Sequence, residues 1–312
     1  MRIDAITMNH FKAMKLFSLV VAGFIVVTAG HAAETKPKKP PVFPTDVRVE
    51  RDVTYLSAGR EEKADLYFPT NAPTDAKLPA IVWIHGGGWN NGERDGRREI
   101  AVCSSLAQNG YVTMSISYKL AYGKYEVWPT NLWDCKTAVR WLRVNADRLG
   151  IDPKRIGVAG GSAGGHLAAM VALTTPADGL DPAEPYGNVS CTVSCCVDMY
   201  GIADVGTFHE AKMLGKIFEE APELYRIASP ITYVRSNSPP FLILCGTADK
   251  VVNPDQSKLL AKTLQDAGAS EQLVVIPGAP HSFDFEPKQR DLRPLVLEFL
   301  DKNLKNNPLP GL

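Results

Sequence analysis

Net charge is the first thing missing, because 34 Lys and Arg offset 34 Asp and Glu across the 312 residues. A chain without an excess of either sign lacks the electrostatic footprint expected for nucleic acid or for an acidic membrane surface. Histidine is scarce as well. Of six, two fall in the N-terminal segment, and the other four, His85, His166, His209 and His281, show no metal-ligand spacing. No C-x-x-C occurs among Cys103, Cys135, Cys191, Cys195, Cys196 and Cys245, so neither a metal nor any other cofactor is expected. Most of these cysteines fall in apolar stretches such as FLILC and VSCCVDMY, where free thiols behave as small core residues; disulfides are possible in an exported protein but not required. There is no internal repeat, and a chain that is 45% hydrophobic and 22% charged has the means to bury one continuous core. One large domain is expected.

The long apolar run that the body of the chain lacks is found only near its start. Lys12 and Lys15 precede Leu16 to Val27, and small residues through Ala33 follow. This is the layout of a secretory signal, expected to span residues 1–33, with export to the periplasm or the exterior and no stable membrane partner after cleavage. The apolar run is short for a bilayer span of ~20 residues, which argues against a retained anchor. The basic residues lie far from Met1, so Met8 and Met14 are alternative starts. Residues 34–46, rich in Pro and Lys, read as an extended linker, and the folded domain is expected to cover residues 47–312.

Within that domain, VRVERDVTYL and KADLYF alternate as strands and suggest an antiparallel edge hairpin. Fully apolar strands follow: AIVWIH, YVTMSIS, the run around Val158, VSCCVDMY, FLILC and QLVVI. Helical stretches separate them. In NLWDCKTAVRWLRVNA the residues Leu132, Ala138, Trp141, Leu142 and Val144 fall largely on one face. PDQSKLLAKTLQDAG is expected to close at Gly268, and a last helix sets Val296, Phe299, Leu300 and Leu304 on one side. Residues 206–227 read as one or two helices able to form a small lid. Strands alternating with helices after two edge strands imply an α/β fold, with a mostly parallel sheet covered on both faces.

The stretch RIGVAGGSAGGHLAAMVALT reads as strand, sharp turn and helix, with Ser162 at the apex. A residue on so sharp a turn takes strained backbone angles, and its neighbours two positions away must lack bulk; Gly160 and Gly164 meet that need. A serine hydroxyl needs a base to take its proton and a third group to orient the base. His281, in a loop after the last strand, is the best-placed base, since ligand-facing groups in open α/β sheets gather at the carboxyl ends of strands. His85 closes a strand, His166 follows the serine on its own helix and His209 lies in the lid segment. Asp249, after FLILC, is the expected carboxylate, with Asp198 as its rival one strand earlier. HGGGW, His85 to Trp89, follows another strand and allows backbone amides to converge on one point, as stabilising an oxyanion requires.

G-x-S-x-G, the order Ser, Asp, His, and HGGG each follow a strand. Together they resemble the α/β-hydrolase superfamily, nearest to HGGG-type carboxylesterases and to feruloyl- and acetylxylan-esterase-like enzymes, over residues 47–304. The resemblance implies an α/β-hydrolase fold with a small cap or none, since only two edge strands precede HGGG. It implies a catalytic triad of Ser162, Asp249 and His281, with an oxyanion hole from the amides of Gly87, Gly88 and Ala163. His85 would then brace the loop. The activity implied is hydrolysis of short-acyl or acetyl and feruloyl esters, on small molecules or on polysaccharide, by way of an acyl-enzyme. A prolyl-oligopeptidase-type peptidase and a non-catalytic binding protein are the alternatives; the former commonly carries a propeller, and the latter typically lacks a triad residue. Trp89, Tyr118, Tyr122, Trp128 and Phe283 are candidates to line the cleft.

Overall fold

The computed structural model describes residues 41–72, 77–123 and 126–306. The expected signal segment, the alternative starts and residues 34–40 of the expected linker lie outside the described residues. The end of the linker is part of the folded unit: the Phe43 ring meets Tyr67 edge-on at 6.0 Å, and Asp46 accepts hydrogen bonds from Thr70 and Gln108.

The described residues form a sheet of eight strands: β1 (Val47–Val53), β2 (Ala64–Pro69), β3 (Leu78–Ile84), β4 (Val112–Ile116), β5 (Ile151–Gly161), β6 (Cys196–Met199), β7 (Phe241–Gly246) and β8 (Glu271–Ile276). Their order is β1-β2-β4-β3-β5-β6-β7-β8. The β1–β2 and β2–β4 pairs are antiparallel and all others parallel, so β2 alone runs against the rest. The edge pair and the parallel body agree with the alternation in the sequence.

The inner parallel strands are mostly apolar because both faces of the sheet are covered there, whereas β8, at the edge, is only partly buried. Along β3, Ala80, Val82 and Ile84 enter one core and Ile81 and Trp83 the other; β7 divides in the same way, with Phe241 and Ile243 opposite Leu242 and Leu244. The helices α2 (Thr130–Val144), α3 (Ala146–Leu149), α4 (Ala163–Leu173) and α6 (Asp255–Asp266) bury their apolar sides in the first core. The second is closed by α1 (Arg97–Gln108) and α7 (Arg293–Leu300), the latter running into a wider turn that buries Leu304. All six cysteines are unpaired and buried. In α2 the expected face is buried except at Val144, which is 52% exposed at the last turn because the chain leaves the sheet there.

Residues 205–233 hold one helix, at the lower end of the one or two expected for residues 206–227. They form four short 3-10 turns around one six-residue helix, α5 (Pro222–Ile227), and not a helical lid. Glycines and prolines interrupt the segment too often for helix propagation.

This topology gathers the carboxyl ends of the parallel strands on one rim. His85 to Trp89 follow β3, Ser162 follows β5, Asp249 follows β7 and His281 follows β8. Two glycines test the two reasons for glycine in this fold. Gly268 sits at φ +75 in open space just past α6, where its N–H and that of Ala269 reach the carbonyls of Gln265 and Leu264, a Schellman closure. Gly164 has ordinary angles but no room, since a Cβ there would lie 2.0 Å from the Ile84 carbonyl oxygen. We therefore expect Gly268→Ala to lower stability by about 1 kcal/mol, from the left-handed backbone alone. Gly164→Ala should lower it by about 3 kcal/mol or more, by forcing β3 and α4 apart. Urea denaturation of the two variants checks the ranking, and equal losses would contradict it.

Candidate active site

Ser162 stands between β5 and α4 at φ 58 and ψ −125, a conformation in which an L-residue is strained. Three constraints hold it there. Its N–H donates to the Met199 carbonyl at 2.9 Å, its own carbonyl accepts from the His166 N–H at 3.0 Å, and the flanking glycines let strand and helix nearly touch. A Cβ at Gly160 would lie 2.3 Å from the Gly164 oxygen.

From this turn the hydroxyl reaches His281, with 3.0 Å between Ser162 Oγ and His281 Nε2. The other ring nitrogen, Nδ1, lies 2.6 Å from Asp249 Oδ2. An ionised carboxylate can only accept, so Nδ1 carries the proton and Nε2 offers its lone pair to the serine hydroxyl. The second oxygen of Asp249 accepts from the N–H groups of Val251 and Val252, at 2.8 and 2.9 Å, which fixes the carboxylate in its turn. The side chains of Asp249 and His281 are 1% and 12% exposed, so water is largely kept from the pair.

The HGGGW loop lies against the same turn. A Cβ on Gly86 would stand 3.2 Å from Ser162 Cβ, and Gly87 and Gly88 take φ values of +118 and +59. At Gly87 a Cβ would fall 2.1 Å from the Asn91 carbonyl oxygen, while the amides of Asn90 and Asn91 return to the Gly87 carbonyl. Ala163 opens α4, where first-turn N–H groups have no partner inside the helix. The buried His85 hydrogen-bonds the Gly86 carbonyl through Nδ1 at 2.7 Å and stacks on Tyr118 at 4.4 Å; Tyr118 in turn donates to the His85 carbonyl. Burial holds the His85 pKa below its ordinary value, which keeps the ring neutral.

Several aromatic residues occupy places other than the expected cleft wall. Tyr118 lies under the loop, Trp128 is buried against His166, and Phe283 is buried against Tyr200; Tyr122 is 66% exposed. Trp89 is nearly buried, and its indole N–H donates to His166 Nδ1 at 3.1 Å. His166 passes the chain of bonds on, with Nε2–H donating to the Ala228 carbonyl at 2.7 Å. Burial lowers this imidazole to about 4, so it is a neutral connector between the loop and residues 222–228. The only sequence signal for it was its place one turn after Ser162, on the same side of α4. His209 is exposed and pairs with Glu219.

Asp198 is not brought to His281. Paired in register with Gly160 and Ile243, it is buried behind the turn, where Oδ1 accepts from the Gly201 N–H at 2.9 Å. Gly165 and Gly201 leave room only for this carboxyl, since a Cβ on either would stand 2.4 or 2.2 Å from Oδ1. Among the described residues no group of three or more His, Cys, Asp and Glu is placed to hold a metal ion.

A doubly covered, mostly parallel sheet, with a strained serine on its rim joined through histidine to a carboxylate, defines the α/β-hydrolase class. More narrowly, the chain belongs to the BD-FAE family, whose model matches residues 64–264. It is 31% identical to esterase LipQ of Mycobacterium tuberculosis over 80% of this chain and 61% of that protein. It is 33% identical to an ethyl acetate hydrolase of Pseudomonas putida over 70% of each. Against a solved truncated carbohydrate esterase from gut microbiota the TM-score is 0.77 at 26% identity, over 86% of this chain and all of the other. The match spans less than two thirds of the mycobacterial esterases LipQ and LipC.

Asp198 sets a pH dependence of stability. Burial raises its pKa from 3.8 to about 7, so the unfolded chain loses this proton before the folded one does. Stability from this group is therefore greatest in acid, falls as the pH rises from about 4 to about 7, and is level above. Asp198→Asn keeps the acceptor for Gly201 and removes the charge. Its melting temperature relative to the unsubstituted protein should rise between pH 5 and pH 8, whereas a constant difference would contradict the assignment.

Proposed function

We propose that this protein is a carboxylic ester hydrolase acting through an acyl-enzyme on Ser162. The observation that carries the reading is the hydrogen-bonded chain from Ser162 Oγ through His281 to Asp249, at 3.0 and 2.6 Å. In the proposed reaction His281 Nε2 takes the proton as Ser162 Oγ adds to the ester carbonyl, and Asp249 steadies the imidazolium. The amides of Gly87, Gly88 and Ala163 receive the oxyanion, assisted by the positive end of α4. His281 then gives its proton to the departing alcohol and activates the water that frees the acid.

For the substrate, we favour short-acyl esters, including acetyl or feruloyl groups on plant polysaccharide. The names of the Pseudomonas and gut relatives, an ethyl acetate hydrolase and a carbohydrate esterase, support this. The apolar segment before Ala33 supports export of the enzyme.

Turnover of aryl esters with acyl chains of two to twelve carbons, methyl ferulate and acetylated xylan tests the proposal. Short aryl esters should be cleaved, and Ser162→Ala should lower kcat by about 10⁴-fold or more without altering the melting curve. Undiminished turnover by that variant would refute the role of Ser162. A folded enzyme that cleaves no ester would refute the activity.

A further inference from the structure

We propose that Tyr200 is the positioning residue that holds the His281 imidazole in line with Ser162, an inference that rests on the hydrolase reading above. Six described non-glycine residues have positive φ, and four of them, Trp89, Ser162, Tyr200 and Ser282, border this one site. Backbone strain persists only where the surroundings over-determine it, so its concentration here marks Tyr200 and Ser282 as parts of the same device.

Tyr200 follows β6 at φ 44 and is wholly buried. Its N–H donates to the Leu244 carbonyl, while the carbonyl of the preceding Met199 accepts from Ser162. The two residues thus tie the nucleophile's turn to the next strand. The Tyr200 ring lies edge-on to His281 at 4.9 Å and to Phe283 at 4.6 Å, on both sides of Ser282. Its hydroxyl donates to the Phe283 carbonyl at 2.5 Å, and the Arg98 guanidinium lies beside the Tyr200 hydroxyl oxygen. The hydroxyl also explains a glycine that G-x-S-x-G does not require. A Cβ on Gly161 would stand 2.8 Å from Tyr200 Oη, so the position before the nucleophile is kept bare to admit it.

The mechanical need is clear from the bonds that His281 makes. Its two hydrogen bonds run through opposite ring nitrogens and leave rotation about the line between them open. The loop that carries it has no helix or strand of its own. A ring packed against the imidazole, with its hydroxyl pinned to the same loop, removes that freedom, and a misplacement of about 1 Å at such a centre can cost on the order of a hundredfold in rate.

The test compares the full chain with Tyr200→Phe and Tyr200→Leu. It uses p-nitrophenyl acetate turnover, the rate of Ser162 modification by diethyl p-nitrophenyl phosphate, the melting temperature, and the proton resonance of His281 Nδ1–H. Tyr200→Phe keeps the ring and loses the tether, and should lower kcat and the phosphylation rate about tenfold with KM within twofold. Tyr200→Leu should lower both about a hundredfold and broaden the Nδ1–H resonance. This ordered loss in kcat alone, measured well below the melting temperature of each variant, is not what a general loss of structure produces. Should Tyr200→Leu fail to fold, Tyr200→Phe decides. Wild-type kcat and phosphylation rate in the folded variants, or a rise in KM alone, would overturn the proposal. If the unsubstituted protein neither turns over ester nor is phosphylated, the hydrolase reading fails, whereas a resonance that broadens in Tyr200→Leu would still support positioning.

Discussion

The backbone of Ser162 is the constraint on which the rest depends. At φ 58 and ψ −125 it is unfavourable for any residue with a side chain, and the surrounding fold must supply what it lacks. The sheet does so through the Met199 carbonyl, and α4 through the N–H of His166, while Gly160 and Gly164 allow β5, β3 and α4 to approach closely enough for both. Moving any of the three elements by a methyl group's width would relax the turn and withdraw the hydroxyl from His281.

Around that turn the molecule substitutes neutral hydrogen-bonded groups for charge. His85 and His166 are both buried and both held below their ordinary pKa, so that each stays an uncharged connector. One links the glycine loop to Tyr118, and the other links Trp89 to the carbonyl of Ala228. A buried imidazolium in either place would need a counter-charge close to Ser162, and that would disturb the field there. Among His85, His166 and His281 only His281 keeps some exposure, and it is the one the proposed chemistry uses. Cooperation between a rigid rim and a loop that must be pinned also accounts for the burial of Tyr200, whose polar tip serves the His281 loop and not the solvent.

Much of this was legible along the chain. Apolar strands at βα spacing, glycines two positions from a serine and three glycines after a strand are local patterns, and each reports a local requirement of burial or close approach. The same holds for Gly268, whose role needs only the end of one helix. Of the one or two helices expected in residues 206–227 only α5 forms, because the 3-10 turns around it depend on packing against distant segments. Tyr118 and Phe283 illustrate the same limit, since an aromatic residue near a strand end faces the cleft or the core according to which loop folds over it.

By itself, then, the sequence determined the alternating α/β plan, the strained serine turn and a short list of polar residues at strand ends, because these follow from periodicity and backbone sterics within about twenty residues. Tertiary structure alone decided which of two carboxylates meets His281. Asp198 and Asp249 both follow the serine near parallel strands, but the register of β6 points Asp198 behind the turn, while the loop after β7 carries Asp249 out to the rim. It also decided the side-chain partners of His166 and Tyr200, namely Trp89, Ala228 and Phe283, which lie 62 to 83 residues away. Such pairs arise from strand order and loop closure, and no local pattern encodes them.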